Sequence, residues 1–184
     1  EMTMAHFAIG QAFLKLGHLS AAENSFREAL RINPHLHVAG SALLGCLALN
    51  AQEHRADILA EFRRWNETFA APLCPSQPDF ANTSEPQRQL KIGYVSPDFC
   101  RHVVSFFIEP ILANHDKTQF EIHCYSDVEK EDDFTRRLKH QVAQWHPITG
   151  MTDEAVANMV RSHNIDILVD LTGHSRENRL LAFA

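Results

Sequence analysis

The chain lacks any apolar run approaching the roughly 18 residues of a bilayer-spanning helix, so membrane association is not expected. No Gly-x-Gly-x-x-Gly follows an apolar strand pattern, and no Gly-x-x-x-x-Gly-Lys-Ser/Thr occurs; neither a dinucleotide dehydrogenase nor a P-loop enzyme is indicated. Cysteine is sparse: Cys46, Cys74, Cys100 and Cys124 form no Cys-x-x-Cys pair and read as reduced thiols of a cytosolic protein. Cationic clusters never exceed pairs such as Arg63-Arg64 and Arg136-Arg137, and the net charge is −6, so nucleic acid is not an expected partner. No secretory leader opens the sequence, which leaves the Asn82-Thr83-Ser84 sequon without weight and cytoplasmic localisation as the expectation. Glu1 stands where a Met would begin a chain, and Ala184 falls inside an apolar stretch, so a fragment of a longer polypeptide is expected.

What is present is an apolar fraction of 45%, enough for a globular core, distributed in three segments. From His6, the series Ile9-Gly10, Phe13, Gly17, Ala22, Phe26, Ala29 and Pro34 has tetratricopeptide spacing. Small residues let two antiparallel helices approach, Phe13 and Phe26 fill the gap, Gly17 suits the turn and Pro34 stops the second helix. Helices are predicted over Thr3–Leu16 and Leu19–Ile32. A degenerate second pair, Leu36–Leu49 and Arg55–Phe69, reads as the end of an array, because a last repeat meets something other than another repeat. Residues 1–70 are thus tetratricopeptide-like helical repeats, and a generic helical hairpin is the plainer alternative. A linker over 71–89 follows, where Pro72, Pro75, Pro78 and Pro86 deny both helix and ladder.

Residues 90–184 alternate strand and helix. Leu90–Ser96, Phe120–Ser126, Trp145–Ile148 and Ile165–Leu171 read as strands. Ser105–Asn114, with Pro110 expected to kink or end it, Asp132–Val142 and a helix from the Thr152 cap to Ser162 read as helices. Such alternation predicts a Rossmann-like parallel sheet with right-handed crossovers. Ligands of open parallel sheets bind beyond the carboxyl ends of the strands. There the first strand is followed by Pro97-Asp98-Phe99-Cys100-Arg101-His102, and the last by Thr172-Gly173-His174-Ser175-Arg176. Two histidines, an aspartate and two arginines are expected to converge on that edge, with Gly173 allowing a tight turn. Each has a bland reading: Asp98 as a turn or cap, His102 as a local cap, Cys100 as a packed thiol, His174 as an ordinary loop residue. His35-x-His37 has the spacing of a metal pair but falls at a helix start, and the acidic run Glu129–Asp133 is a solvated helix entry; no metal site is expected.

The runs Leu90–Glu109 (LKIGYVSPDFCRHVVSFFIE) and Ile165–Ala184 (IDILVDLTGHSRENRLLAFA), with FRRW at Phe62–Trp65 after a tetratricopeptide unit, resemble the SPINDLY / O-GlcNAc transferase family. The resemblance covers nearly the whole chain and is closer to the SPINDLY and bacterial branch than to the animal branch, through Ser96–Phe99 (SPDF) and Thr172–His174 (TGH). It implies the first lobe of a two-lobe, inverting, metal-independent glycosyltransferase without cofactor. Such an enzyme moves a sugar from a nucleotide donor to Ser or Thr of proteins presented by the tetratricopeptide surface. UDP-N-acetylglucosamine is the first donor reading and GDP-fucose the alternative. The resemblance places a catalytic role on His102 and substrate binding on Asp98, Thr172, Gly173 and His174. Where the animal branch carries an Asp and a His before the last strand, this chain has Asn158 and Arg161, so neither role is transferred. The second lobe carries most of the nucleotide site in that family, so this piece alone is expected to be inactive. A non-catalytic tetratricopeptide scaffold is a rival, and a receiver-like module built on Asp98 lacks the supporting acidic cluster and lysine.

Overall fold

A computed structural model describes residues 1–50, 55–74 and 80–184. The chain divides into two compact units: a helical unit of residues 1–74 with 174–176 and 184, and an α/β unit of residues 75–173 with 177–183.

In the helical unit, α1 (Met2–Lys15), α2 (Leu19–Ile32), α3 (His37–Leu49) and α4 (Arg55–Trp65) pack in sequence order. The tetratricopeptide logic is visible atom by atom. Phe26, Ala22 and Ala29 are fully buried, and a β-carbon placed on Gly10 would sit 2.5 Å from the Phe26 ring. Phe26 can fill the α1–α2 gap because residue 10 has no side chain. Gly17 makes the turn in the left-handed region (φ +77°), and α2 stops two residues before Pro34. Arg27 donates to Glu23 on its own helix (2.8 Å) and to Glu61 on α4 (2.8 Å), linking the two hairpins. The predicted fourth helix to Phe69 instead leaves α-geometry at Trp65. It continues as a π-helical turn over Asn66–Ala70 and a 3₁₀ turn over Ala71–Leu73, where Pro72 removes a backbone donor.

The α/β unit is an all-parallel sheet of order β3-β2-β1-β4, with β1 Leu90–Ser96, β2 Phe120–Ser126, β3 Gln144–Pro147 and β4 Ile167–Asp170. Alternation along the strands separates two cores. Ile92, Tyr94, Ile122 and Cys124 face Ile108 and Leu112 of α5 (Val103–Asn114) and Leu138 of α6 (Asp133–Lys139). Val95 and Tyr125 face Val156, Ala157 and Val160 of α7 (Asp153–Ser162), with Ala182 of a terminal 3₁₀ turn. The chain thus builds outward from β1 through β2 to β3 and then returns to β1's other side, so β1/β4 is the topological switch point.

Helix boundaries differ from the predicted ones for local reasons. α5 begins at Val103, because His102 supplies the N-cap, and Pro110 sits within it without ending it. α6 is opened by an Asp132–Thr135 capping box. The linker is not free chain where it is described. Asn82 donates to the Asn164 carbonyl (3.0 Å) and to Asp166, and Arg88 pairs with the Asp166 carboxylate. These bonds fasten it to the turn before β4; the predicted linker residues Pro75 and Pro78 lie outside the described residues.

Candidate functional site

The loop after β1 is held from several sides. The Asp98 amide donates to the buried Ser96 hydroxyl (3.0 Å), and the Ser105 hydroxyl donates to the Asp98 carbonyl (2.8 Å). Phe99 is fully buried, and its carbonyl accepts from the Thr135 hydroxyl (2.8 Å). The Arg101 amide donates to Asp132 (2.7 Å) and its guanidinium to Asp133 (3.1 Å). A loop so bonded presents its two remaining polar side chains in fixed positions. His102 Nδ1 lies 3.6 Å from Asp98 Oδ1, with the histidine side chain 44% exposed and the aspartate 23%. Burial raises the Asp98 carboxyl above its usual range; His102 pulls the other way and Glu177 adds to the rise.

The Val104 amide also donates to His102 Nδ1 (3.3 Å). Two arrangements of one ring are therefore available. With Nδ1 accepting from Val104, Nε2 carries the proton outward; with Nδ1–H turned to Asp98, Nε2 presents its lone pair outward. A carboxylate and a partly exposed imidazole thus stand side by side at a strand's carboxyl end. Cys100 has no such role: burial raises its thiol, with Asp132 and Asp98 reinforcing the effect, and the thiol stays protonated.

β4 adjoins β1, so its following loop leaves beside the first. Asp170 closes that loop by accepting from the Thr172 amide (3.2 Å) and the Gly173 amide (2.5 Å). Gly173 turns through φ +59°, where a β-carbon would be strained. The Thr172 hydroxyl oxygen is buried and has no hydrogen-bond partner among the described residues. Burial raises the Asp170 carboxyl, partly offset by its two amide donors.

His174 is enclosed by aromatic side chains. It groups with the helical unit, its ring edge-on to Trp65 (4.7 Å between centroids) and Phe62 (5.2 Å), its Nδ1 3.2 Å from the Ser41 hydroxyl. Burial lowers its pKa, leaving a neutral packed ring. Arg176 groups with the same unit. Of the residues singled out in the sequence, the fold therefore brings Asp98 and His102 together and sets Thr172 and Gly173 on the adjoining strand's loop. Asp170, which shapes that second loop, carried no motif and was missed; its place as the last residue of an apolar strand was the only signal.

A short helical-repeat unit followed by a Rossmann-like parallel sheet, with polar loops at the switch point, defines a repeat-bearing α/β protein. The profile of Glycosyl transferase family 41 matches residues 75–184, and that of the Tetratricopeptide repeat matches residues 3–36. The chain belongs to glycosyl transferase family 41. It is 40% identical over 157 residues to "Probable UDP-N-acetylglucosamine--peptide N-acetylglucosaminyltransferase SPINDLY" of Solanum lycopersicum, covering 82% of this chain and 16% of that protein. The protein of the same name from Arabidopsis thaliana is 40% identical over 156 residues, covering 82% and 17%. Among solved structures, Thermobaculum terrenum O-GlcNAc transferase (mutant K341M) superposes with a TM-score of 0.88 at 32% identity, over 98% of this chain and 35% of that one. The chain thus spans about a sixth of its curated relatives' length.

Proposed function

We propose that the chain is the repeat end and first catalytic lobe of an inverting protein O-glycosyltransferase of the cytoplasm, acting on Ser or Thr hydroxyls. N-acetylglucosamine from a UDP donor is the preferred sugar, as the relatives' names support, and fucose from GDP-fucose is the alternative. Inversion requires the acceptor oxygen to attack the anomeric carbon opposite the departing diphosphate while its proton is taken up. His102 Nε2 takes that proton, directly or through water, when Asp98 holds the Nδ1–H. The Asp170-shaped loop, with Thr172 and Gly173, binds substrate on this reading. The helical surface presents the acceptor protein, and the chemistry uses no metal in the cleft. The observation that carries this reading is the Asp98–His102 pair fixed at the switch point.

The test is His102→Asn in the complete polypeptide. Asparagine retains N-capping ability, so α5 keeps its start while the imidazole is lost. Transfer is expected to fall by about 10²–10⁴-fold with donor affinity unchanged. Undiminished transfer would remove His102 from the chemistry. Parallel donor calorimetry with UDP-N-acetylglucosamine and GDP-fucose decides the sugar, and binding of neither would favour a non-catalytic scaffold.

A further inference from the structure

A second cluster lies within the α/β unit, away from the loops just described. His123 on β2, His146 on β3 and His163 at the C-cap of α7 bring one ring nitrogen each to within 4.8 Å of the others. β2 presents Glu121, His123 and Tyr125 to the face that α7 covers, and α7 runs back toward the strands' amino ends. We propose that these three imidazoles form a binding site for a late first-row divalent cation, Zn²⁺ being the natural occupant, which ties the edge strand and α7 to the sheet.

The geometry is close to what such an ion requires. Zn–N bonds of about 2.0–2.1 Å in a tetrahedron separate ligand nitrogens by about 3.3 Å. His123 Nδ1 and His146 Nε2 stand 3.1 Å apart. The third nitrogen needs to close in by about 1.5 Å at most, and His163 sits half-buried at a helix end, where its ring has room to turn.

The outer contacts orient the rings for ligation. Glu121 Oε1 lies 2.8 Å from His123 Nε2; a carboxylate there fixes the proton on Nε2 and leaves the Nδ1 lone pair facing His146. The Tyr125 hydroxyl engages His163 Nδ1 at 2.9 Å, leaving Nε2 for the ion. In the ion-free cluster one proton must lie between His123 and His146. A cation takes that place when the proton moves to His146 Nδ1, so both imidazoles ligate as neutral rings and no proton is released.

The rings lie close together: His123 stacks on His146 (5.3 Å between centroids), His163 lies tilted against His146 (4.4 Å), and Tyr125 stacks over His146 (4.9 Å). The charged groups facing the cluster are Glu121 and Lys91, whose ammonium donates to the His163 carbonyl (3.1 Å). Glu121 offsets the repulsion that Lys91 exerts on a cation. Three histidines with solvent access through the two half-buried ones leave a fourth position for water.

The inference is independent of the His102 reading and is tested without measuring transfer. The chelator-treated full chain is titrated with Zn²⁺ by calorimetry and with Co²⁺ by visible absorption. One equivalent should bind with a tetrahedral nitrogen-type Co²⁺ spectrum, and Zn²⁺ should raise the melting temperature. His146→Gln, or His163→Gln should the first not fold by circular dichroism, is expected to abolish both effects. Glu121→Gln, acting only by positioning His123, should weaken binding by about 10–100-fold. The double variant His35→Asn/His37→Asn should leave binding intact. Absence of saturable binding, equal binding by His146→Gln, or a thiolate charge-transfer band from the cysteines would each overturn the assignment.

Discussion

His102 and His174 look alike in the sequence, each in a polar loop after an apolar strand, yet their surroundings assign them different work. His102 is partly exposed and faces a carboxylate, whereas His174 is packed among Trp65, Phe62 and Ser41. His174→Ala should therefore lower stability by about 2 kcal/mol through a lost aromatic contact and cavity. In the folded protein it should leave donor affinity unchanged, measured by urea denaturation and calorimetry on the same sample. Equal stability with lost donor binding would instead support the expected substrate-binding role of His174. Asp166 offers a test by acid. Its carboxyl is lowered from 3.8 to about 2, chiefly by the Arg88 guanidinium, with the Lys91 amide and Asn82 assisting. A carboxylate lowered on folding stabilises above its unfolded pKa, and the contribution disappears as pH falls through the folded value. Arg88→Met should be destabilising at pH 7, measured by urea denaturation. The difference from wild type should shrink between about pH 4 and pH 2. A gap that stayed constant over that window would mean the pair contributes nothing electrostatic.

At the level of elements, the first hairpin was legible because its spacing states a packing rule: small residues where helices touch and one aromatic to fill the gap. Gly10→Ala tests that rule. Alanine improves helix propensity by about 1 kcal/mol, but its methyl would meet the fully buried Phe26 ring at 2.5 Å, and overpacking costs about 1–3 kcal/mol. Net destabilisation by about 1 kcal/mol is expected. Phe26→Leu should relieve part of it, so the double-mutant cycle should show favourable coupling. Simple additivity would show that the two side chains do not compete for space. The alternating strands were legible for a similar reason, since apolar runs between polar helices leave few arrangements. The histidine cluster was not. His123, His146 and His163 belong to three elements and share no local spacing; only the parallel register of β2 with β3 and the crossing of α7 bring them together. His35-x-His37, which has a metal-like spacing, supplies no such convergence among the described residues. His174's destination was equally hidden, because nothing in Thr172–Arg176 encodes a contact with Trp65.

For the molecule as a whole, the charges at the carboxyl edge of the α/β unit limit what this chain does by itself. A nucleotide-sugar diphosphate needs cationic or amide donors, and its departure in the transition state needs them more. The described loops there carry Asp98 and Asp170, both anionic when ionised. Two arginines of the unit are engaged: Arg101 by Asp133, and Arg179 by Asp127 (2.7 Å) and Asp153 (3.1 Å). Redirecting Arg179 to a phosphate would break two ion pairs and a bond to the Met151 carbonyl (2.8 Å). On the proposed reading, the diphosphate is met by residues other than Arg101 and Arg179, and the Asp98–His102 pair addresses the acceptor hydroxyl. The 184-residue chain is accordingly expected to fold but to give no heat with UDP-N-acetylglucosamine or GDP-fucose at millimolar ligand, and no sugar transfer. The complete polypeptide should bind one of the two donors and transfer its sugar. Donor binding by the isolated chain with micromolar affinity would mean that its own loops hold the diphosphate, and the division of labour argued from these charges would be wrong.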